Sequence, residues 1–234
     1  MNQSLKDKIL GRLEEFEKSP KRSLGQNFLV SELVVEKIVR ASEPENYDLC
    51  LEVGPGLGSL TDLLKTKAKK LQLVELDQEL AEFWKAQGLT VHQGDALEFP
   101  WQDHLTENSV LVSNLPYQIS SRLVVDLSTS VKRPKKMVLM FQKEVAQRMR
   151  TEESSADYGL ITVIAQTFWH VRLVLEAGSV DFHPKPRVAS RVLSFDYKES
   201  PVKDPMAFLS FLKVAFQNRR KKLAPKLKGY AGVR

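Results

Sequence analysis

Leu49-Cys50-Leu51-Glu52-Val53-Gly54-Pro55-Gly56-Leu57-Gly58 is the stretch from which the rest of the chain is read. The mainly apolar run Leu49–Val53 predicts a buried strand, and Leu60–Lys67 carries a helical pattern. Between them, glycines at alternate positions predict a turn whose backbone can approach a ligand and open a helix. The spacing is G-x-G-x-G, not the G-x-G-x-x-G of dinucleotide sites, so the turn alone also reads as a tight strand–helix connection.

The pattern repeats outward from this unit. Strands are predicted at Leu71–Glu75, Leu89–His92, Val110–Ser113 and Lys136–Phe141. Helical segments fall at Glu79–Ala86, Ser121–Leu127, up to about Arg150, and Tyr158–Phe168. Repeated strand–helix alternation predicts an α/β fold with a parallel sheet covered on both faces. Two later strands, Val171–Glu176 and Arg191–Tyr197, have no long helix between them and are expected to pair antiparallel at the sheet edge. That makes a mostly parallel, seven-stranded sheet. Upstream, Leu5, Ile9, Leu10, Leu13 and Phe16 predict an amphipathic helix over residues 4–17. Ser31 is the predicted N-cap of another helix through about Ala41, and a final helix is predicted from about Pro205 to Lys222.

The chain has 234 residues, enough for one full α/β domain and a small appendage. No run of 18 apolar residues predicts a membrane helix, and Met1–Pro20 lacks the apolar core of a signal peptide. A single cysteine, Cys50, excludes an intrachain disulfide and reads as a small core residue. Cys50 and the four histidines give no metal-site spacing, so no metal is expected. The setting implied is cytoplasmic. Net charge is +6, and its distribution is one-sided. Lys213–Arg234 holds eight basic residues and no acidic one, while the other 212 residues carry 27 basic and 29 acidic groups. Such a block suits a polyanion, although a solvated helix end has the same composition.

Ligands of open parallel sheets bind beyond the carboxyl ends of the strands. There stand the glycine turn, then Glu75 and Asp77, then Gly94-Asp95, then Asn114-Leu115-Pro116-Tyr117. Glu75 can accept hydrogen bonds from a ribose diol, in a nicotinamide cofactor as well as in S-adenosylmethionine. Asp95 can accept one from an adenine amino group. The tetrapeptide separates the two cofactors. Adenine's exocyclic nitrogen is a poor nucleophile, and the Asn114 side-chain oxygen with a backbone carbonyl, best Leu115, can accept its two N–H bonds and align it. Pro116 stiffens the turn, and Tyr117 can stack on the base, worth about 1–3 kcal/mol. Catalysis then comes from positioning and electrostatics. Phe182-x-Pro184-x-Pro186-x-Val188-x-Ser190 is a second candidate wall of the base pocket, with Phe182 on the opposite face of a flipped base. The same segment also reads as a rigid loop packing the sheet edge. Lys185, Arg187 and Arg191 around it can hold phosphates.

These motifs, with Lys21-Arg22-Ser23-Leu24-Gly25-Gln26-Asn27-Phe28-Leu29 before them, resemble in order and spacing the ribosomal RNA adenine dimethyltransferases. The resemblance covers about residues 20–223. Gly25 before Gln26-Asn27, Phe141-Gln142-Lys143-Glu144-Val145 and Tyr158-Gly159-Leu160 resemble the small-subunit branch. Lys185 stands where that branch usually has a third proline and the macrolide-resistance branch often has lysine.

The resemblance implies a Rossmann-like, class I methyltransferase fold, S-adenosylmethionine as cofactor, and dimethylation of adenosines, two adjacent ones, in small-subunit ribosomal RNA. It implies that Asn27 and Leu29 contact the methionine part of the cofactor. Gly54 and Gly56 would line its pocket, Glu75 hold the ribose, Asp95 the adenine, and Asn114 serve both cofactor and target amine. The expected RNA contacts are Lys21, Arg22, Lys185, Arg187, Arg219, Arg220, Lys221 and Lys222. The implied partner is ribosomal RNA within a small-subunit particle, met by a monomer and no membrane. Residues 1–198 are expected to form the cofactor domain. Residues 199–234 would be a truncated or short basic helical segment, the start of a small helical C-terminal domain whose larger part is absent. Two other classes remain open: a nicotinamide oxidoreductase, which leaves Asn114–Tyr117 unexplained, and a ribosome-assembly factor on a methyltransferase scaffold without catalysis. Within the family, a large-subunit enzyme of the macrolide-resistance type is the alternative.

Overall fold

The computed structural model describes residues 3–16, 27–153, 155–218 and 221–223. The predicted alternation is present. Helix α1 (Leu5–Glu15), strand β1 (Phe28–Leu29) and α2 (Glu32–Ser42) lead into β2 (Leu49–Val53), α3 (Thr61–Lys67), β3 (Leu71–Glu75), α4 (Gln78–Ala86) and β4 (Thr90–Gln93). Then follow α5 (Trp101–His104), β5 (Ser109–Ser113), α6 (Tyr117–Thr129), β6 (Lys136–Gln142), α7 (Lys143–Arg150), α8 (Leu160–Phe168), β7 (Trp169–Ala177), β8 (Phe182–His183), β9 (Ser190–Tyr197) and α9 (Pro205–Phe216).

The main sheet has seven strands in the order β4-β3-β2-β5-β6-β9-β7. The first five are parallel, and β9 runs antiparallel between β6 and β7. From β2 the chain winds outward through β3 and β4, then returns to β5 on the other side. The strand order reverses between β2 and β5, and a ligand crevice forms at such a point. Two ladders continue past the strand ends: Gly54 N–H donates to the Val74 carbonyl, and Gly94 N–H to that of Glu75, both at 2.9 Å.

Alternation along the buried strands divides the core into two layers. Leu49, Leu51, Leu111, Met137, Leu139 and Phe195 face α6, α7, α8 and α9. Cys50, Val110, Val112, Val138 and Met140 face α2, α3 and α4. Cys50 is fully buried, as a small core residue should be. Each helix supplies an apolar stripe, such as Val34, Val35, Ile38 and Val39 on α2.

Three features depart from the sequence expectation, two at the ends of helices and one an additional strand pair. Helix α6 begins at Tyr117, four residues earlier than its apolar pattern, because Pro116 (φ −55°) feeds directly into the first turn. Helix α9 ends at Phe216, not Lys222: the next six residues, Gln217 to Lys222, are polar or positively charged and offer no apolar side chain to bury. Leu209 and Leu212 of α9 belong to the same core layer as α6 and α8, so packing continues without a break past residue 198. The third is a miniature sheet in which β1 pairs antiparallel with β8, Phe28 opposite His183 and Leu29 opposite Phe182. Among the described residues no helix is long and apolar enough to cross a membrane.

Candidate active site

Beyond the carboxyl ends of β2, β3, β4 and β5 opens a cavity of about 340 Å³, within the range of roughly 300–1,000 Å³ common for small-molecule sites. Every one of the strand-end signatures lines it: Glu52–Gly56, Glu75–Asp77, Gly94–Ala96 and Asn114–Ile119, joined by Asn27 and Phe28.

The glycine turn owes its shape to backbone conformation. Gly54, Gly56 and Gly58 have φ of +64°, +52° and +88°, a region that side-chain-bearing residues enter only with strain. Glu75 is folded beneath the turn. Its Oε2 accepts from the Gly56 N–H at 3.2 Å and its Oε1 from the Asp77 N–H at 2.9 Å. Burial raises its pKa, and backbone hydrogen bonds from Asp77, Gly56 and Leu76 oppose that rise. Asp95 is fixed by its own loop, its Oδ1 accepting from the Leu97 N–H at 2.8 Å.

The Asn114–Tyr117 segment forms the opposite wall. Asn114 Nδ2 donates to the Asn27 carbonyl at 3.2 Å, which ties β5 to the start of β1 and leaves the side-chain oxygen as the acceptor of the pair. The Leu115 side chain is buried in the core, so this residue offers the cavity its backbone. The Tyr117 hydroxyl shares a 2.7 Å hydrogen bond with Ser190 Oγ at the start of β9. Burial raises the phenol's pKa, and the serine contact opposes the rise. Ser113 Oγ bonds the Val53 carbonyl, locking β5 to β2 at the cavity's base.

Two expected site residues have buried side chains that are not part of the cavity lining. Phe182 is only 2% exposed and packs with Leu29, Val34, Val35 and Ile38. Its ring is a core anchor under the β1–β8 pair and not a wall of the cavity. Leu29 is likewise fully buried. Side chains of an extended pair alternate, so Phe28 lines the cavity and Leu29 points into the core. Leu29's carbonyl accepts from Ser59 Oγ at 2.6 Å, and Ser59 does line the cavity. Lys185 and Arg187 are exposed beyond the cavity, and Lys221 and Lys222 are exposed after α9. Lys21, Arg22, Arg219 and Arg220 lie outside the described residues.

Other lining residues went unremarked in the sequence. Leu76 is 56% exposed beside Glu75, an apolar surface offered at the rim; a lone leucine between two carboxylates was the available signal. Glu52 is 2% exposed, its Oε2 lacks a hydrogen-bond partner among the described residues, and burial pushes its carboxyl up to about 8. Among the described residues no cluster suited to a metal ion occurs.

A family model for ribosomal RNA adenine dimethylases matches residues 17–233. The chain belongs to that family. A ribosomal RNA small subunit methyltransferase A of Bdellovibrio bacteriovorus is 52% identical over 213 residues, covering 89% of this chain and 77% of the relative. The namesake from Syntrophotalea carbinolica is 39% identical over 217 residues, covering 90% and 82%. Among solved structures, a dimethyladenosine transferase from Plasmodium falciparum superposes with a TM-score of 0.73 at 28% identity, covering 87% of this chain and 76% of that one. The 23S rRNA methyltransferase ErmE shares the fold at TM-score 0.66 and 24% identity, covering 86% and 84%. Membership of the adenine dimethylase family sets aside the nicotinamide reading of the glycine turn.

Proposed function

We propose that this chain transfers methyl groups from S-adenosylmethionine to the exocyclic amine of adenosines in small-subunit ribosomal RNA, twice on each base. The observation that carries this reading is the juxtaposition at the cavity of a pinned Glu75 carboxylate with the Asn114–Tyr117 wall.

The residues fit the cofactor. Glu75 is held where both oxygens can accept from a ribose diol, the positive-φ turn brings backbone close, and Leu76 offers an apolar face for an adenine whose amino group Asp95 can receive. Asn27 and Phe28 would border the methionine end, with Ser59 nearby. When bound, S-adenosylmethionine supplies an electrophilic methyl group.

The chain's own task is to present the amine. Asn114 Oδ1 and the Leu115 carbonyl accept its two N–H bonds, so the nitrogen lone pair is drawn out of conjugation and aimed at the incoming methyl. Tyr117 holds the base by stacking. No strong general base is needed, because the nitrogen becomes acidic as it is alkylated and its proton leaves through the same acceptors to solvent. After one transfer a single N–H remains, and one acceptor still suffices to align it for the second. Exposed Lys185, Arg187, Lys221 and Lys222 are the described cations suited to RNA phosphates, with Lys21, Arg22, Arg219 and Arg220 completing the proposed set. A monomer acting in the cytoplasm on a small-subunit particle is the setting we favour.

The test is transfer of labelled methyl to two acceptors, undermethylated small ribosomal subunits and large-subunit RNA. Dimethyladenosine recovered from small subunits supports the reading. Label on large-subunit RNA alone replaces it with the macrolide-resistance reaction. No label on either, with cofactor binding intact, leaves the assembly role.

A further inference from the structure

Helix α1 precedes the residues matched by the family model, which begin at 17, yet it is built into the back of the glycine turn. Ile9 and Leu13 bury against Leu57 of the turn and Leu80 of α4, and Phe28 packs on the same cluster. Arg12 stands at the centre. Its Nη1 donates to the Leu57 carbonyl at 2.6 Å and to Asp62 Oδ2 at 2.9 Å, and its Nη2 donates to Asp62 Oδ1 at 3.3 Å. Its guanidinium carbon lies 5.3 Å from the Trp84 ring centre and 5.4 Å from that of Phe83. Trp84 in turn donates its indole N–H to the Gly56 carbonyl at 3.0 Å.

Gly56 is therefore held on both sides, its N–H by Glu75 at the cavity and its carbonyl by Trp84 behind. The fit behind is close. A Cβ on Gly58 would stand 2.5 Å from Arg12 Nη1 and 2.5 Å from the Trp84 ring, so glycine is required there by space as well as by φ. Glycines lose the most backbone freedom when ordered. A turn rich in them binds weakly unless its shape is set beforehand, because ordering it on binding costs affinity. Arginine suits the position because its planar fork reaches a carboxylate and a carbonyl at once while lying over an aromatic face.

We propose that α1 is a clamp on the cofactor turn, with Arg12 its positioning residue and Trp84 its second arm. The proposal rests on the reading that the cavity takes S-adenosylmethionine. Arg12 touches neither substrate; it acts through Leu57, Asp62 and Trp84.

The experiment is titration calorimetry of the full chain with S-adenosylhomocysteine, alongside methyl transfer to undermethylated small subunits. Arg12→Ala should weaken binding about tenfold and Trp84→Phe, which keeps an aromatic side chain but replaces the indole with a smaller ring and loses the N–H, about threefold, the scale of lost hydrogen bonds and lost pre-organisation. Arg12→Lys, which keeps charge without the fork, should recover part of the loss. The cofactor KM should rise while kcat at saturating cofactor and the acceptor KM hold. Should Arg12→Ala not fold, the Lys and Phe variants carry the test. Wild-type protein that binds no S-adenosylhomocysteine sinks the cofactor reading itself. Wild-type binding matched by the variants overturns the clamp alone, as does a parallel fall in kcat and rise in acceptor KM, which would mark general damage.

Discussion

The two aromatic residues expected to face the target base, Tyr117 and Phe182, end in opposite surroundings. Tyr117 opens α6 directly after a central parallel strand and lines the cavity. Phe182 lies in β8, beyond the antiparallel edge, and is swallowed by the core beside α2. Both belong to motifs that look alike in sequence, an aromatic beside proline. The difference is what each motif is attached to. A residue following a buried parallel strand emerges at the ligand edge by construction. A residue in a two-residue strand faces whichever way its partner requires, and that partner, β1, lies some 150 residues upstream.

The comparison can be broken from either side, and the largest effect belongs to Phe182. As a buried anchor, Phe182→Ala should cost about 3–5 kcal/mol of stability, read from denaturant unfolding, whereas Phe182→Leu should fold and retain most methyl transfer. A Phe182→Leu protein of full stability whose acceptor KM had risen tenfold would return this ring to the base pocket. Next is Asn114→Ala. If the amine is aligned by its side-chain oxygen, kcat should fall by about 10²–10³, the scale for removing one oriented hydrogen-bonding group, with RNA affinity kept. Near-normal turnover would end the positioning argument.

Legibility in the sequence followed the same divide. The strands β2 to β6 and the residues just after them could be read because a period of two, glycine and proline are local signals. The placement of Glu75, Asp95 and Asn114 at one cavity was legible that way. The inward turn of the Leu29 side chain was not legible, because it depends on one step of alternation after Phe28. Arg12 was legible only as the polar side of an amphipathic helix; nothing in its spacing says that it meets residue 57. The end of α9 was overrun because helix-forming lysines and arginines extend the pattern after the apolar contacts cease.

Glu52 sharpens the contrast between residues in a strand and those past it. It is one position inside β2, whereas Glu75 ends β3 with two backbone donors. The folded chain keeps Glu52 protonated up to about pH 8, while an unfolded chain releases that proton near 4.5. Between those values the folded state binds more protons, so this group's stabilising contribution is complete below pH 4.5 and is lost as pH rises towards 8, by about 1.3 kcal/mol per pH unit at the steepest. Glu52→Gln, a neutral mimic, should be free of that decline. Unfolding midpoints for the two proteins at pH 5, 6, 7 and 8 should separate steadily, the wild type falling relative to Glu52→Gln as pH rises; parallel curves would mean that Glu52 is ionised in the fold.

The smallest effect concerns a bond that joins the two aromatic–proline motifs. Ser190, the last residue of the Phe182–Ser190 stretch, is fully buried and its Oγ meets the Tyr117 hydroxyl. The stretch would then serve the site through its serine, not its phenylalanine: β9 pins the far end of the tyrosine, and the ring is held edge-fixed for a base to stack on. Losing such a bond is worth about 0.5–1.5 kcal/mol. Ser190→Ala and Tyr117→Phe should each raise the acceptor KM severalfold and leave S-adenosylhomocysteine binding unchanged. The double variant should be no worse than either single one, because both remove the same contact. Additive losses would show that the serine and the tyrosine act separately, and the link between the two regions would rest on proximity alone.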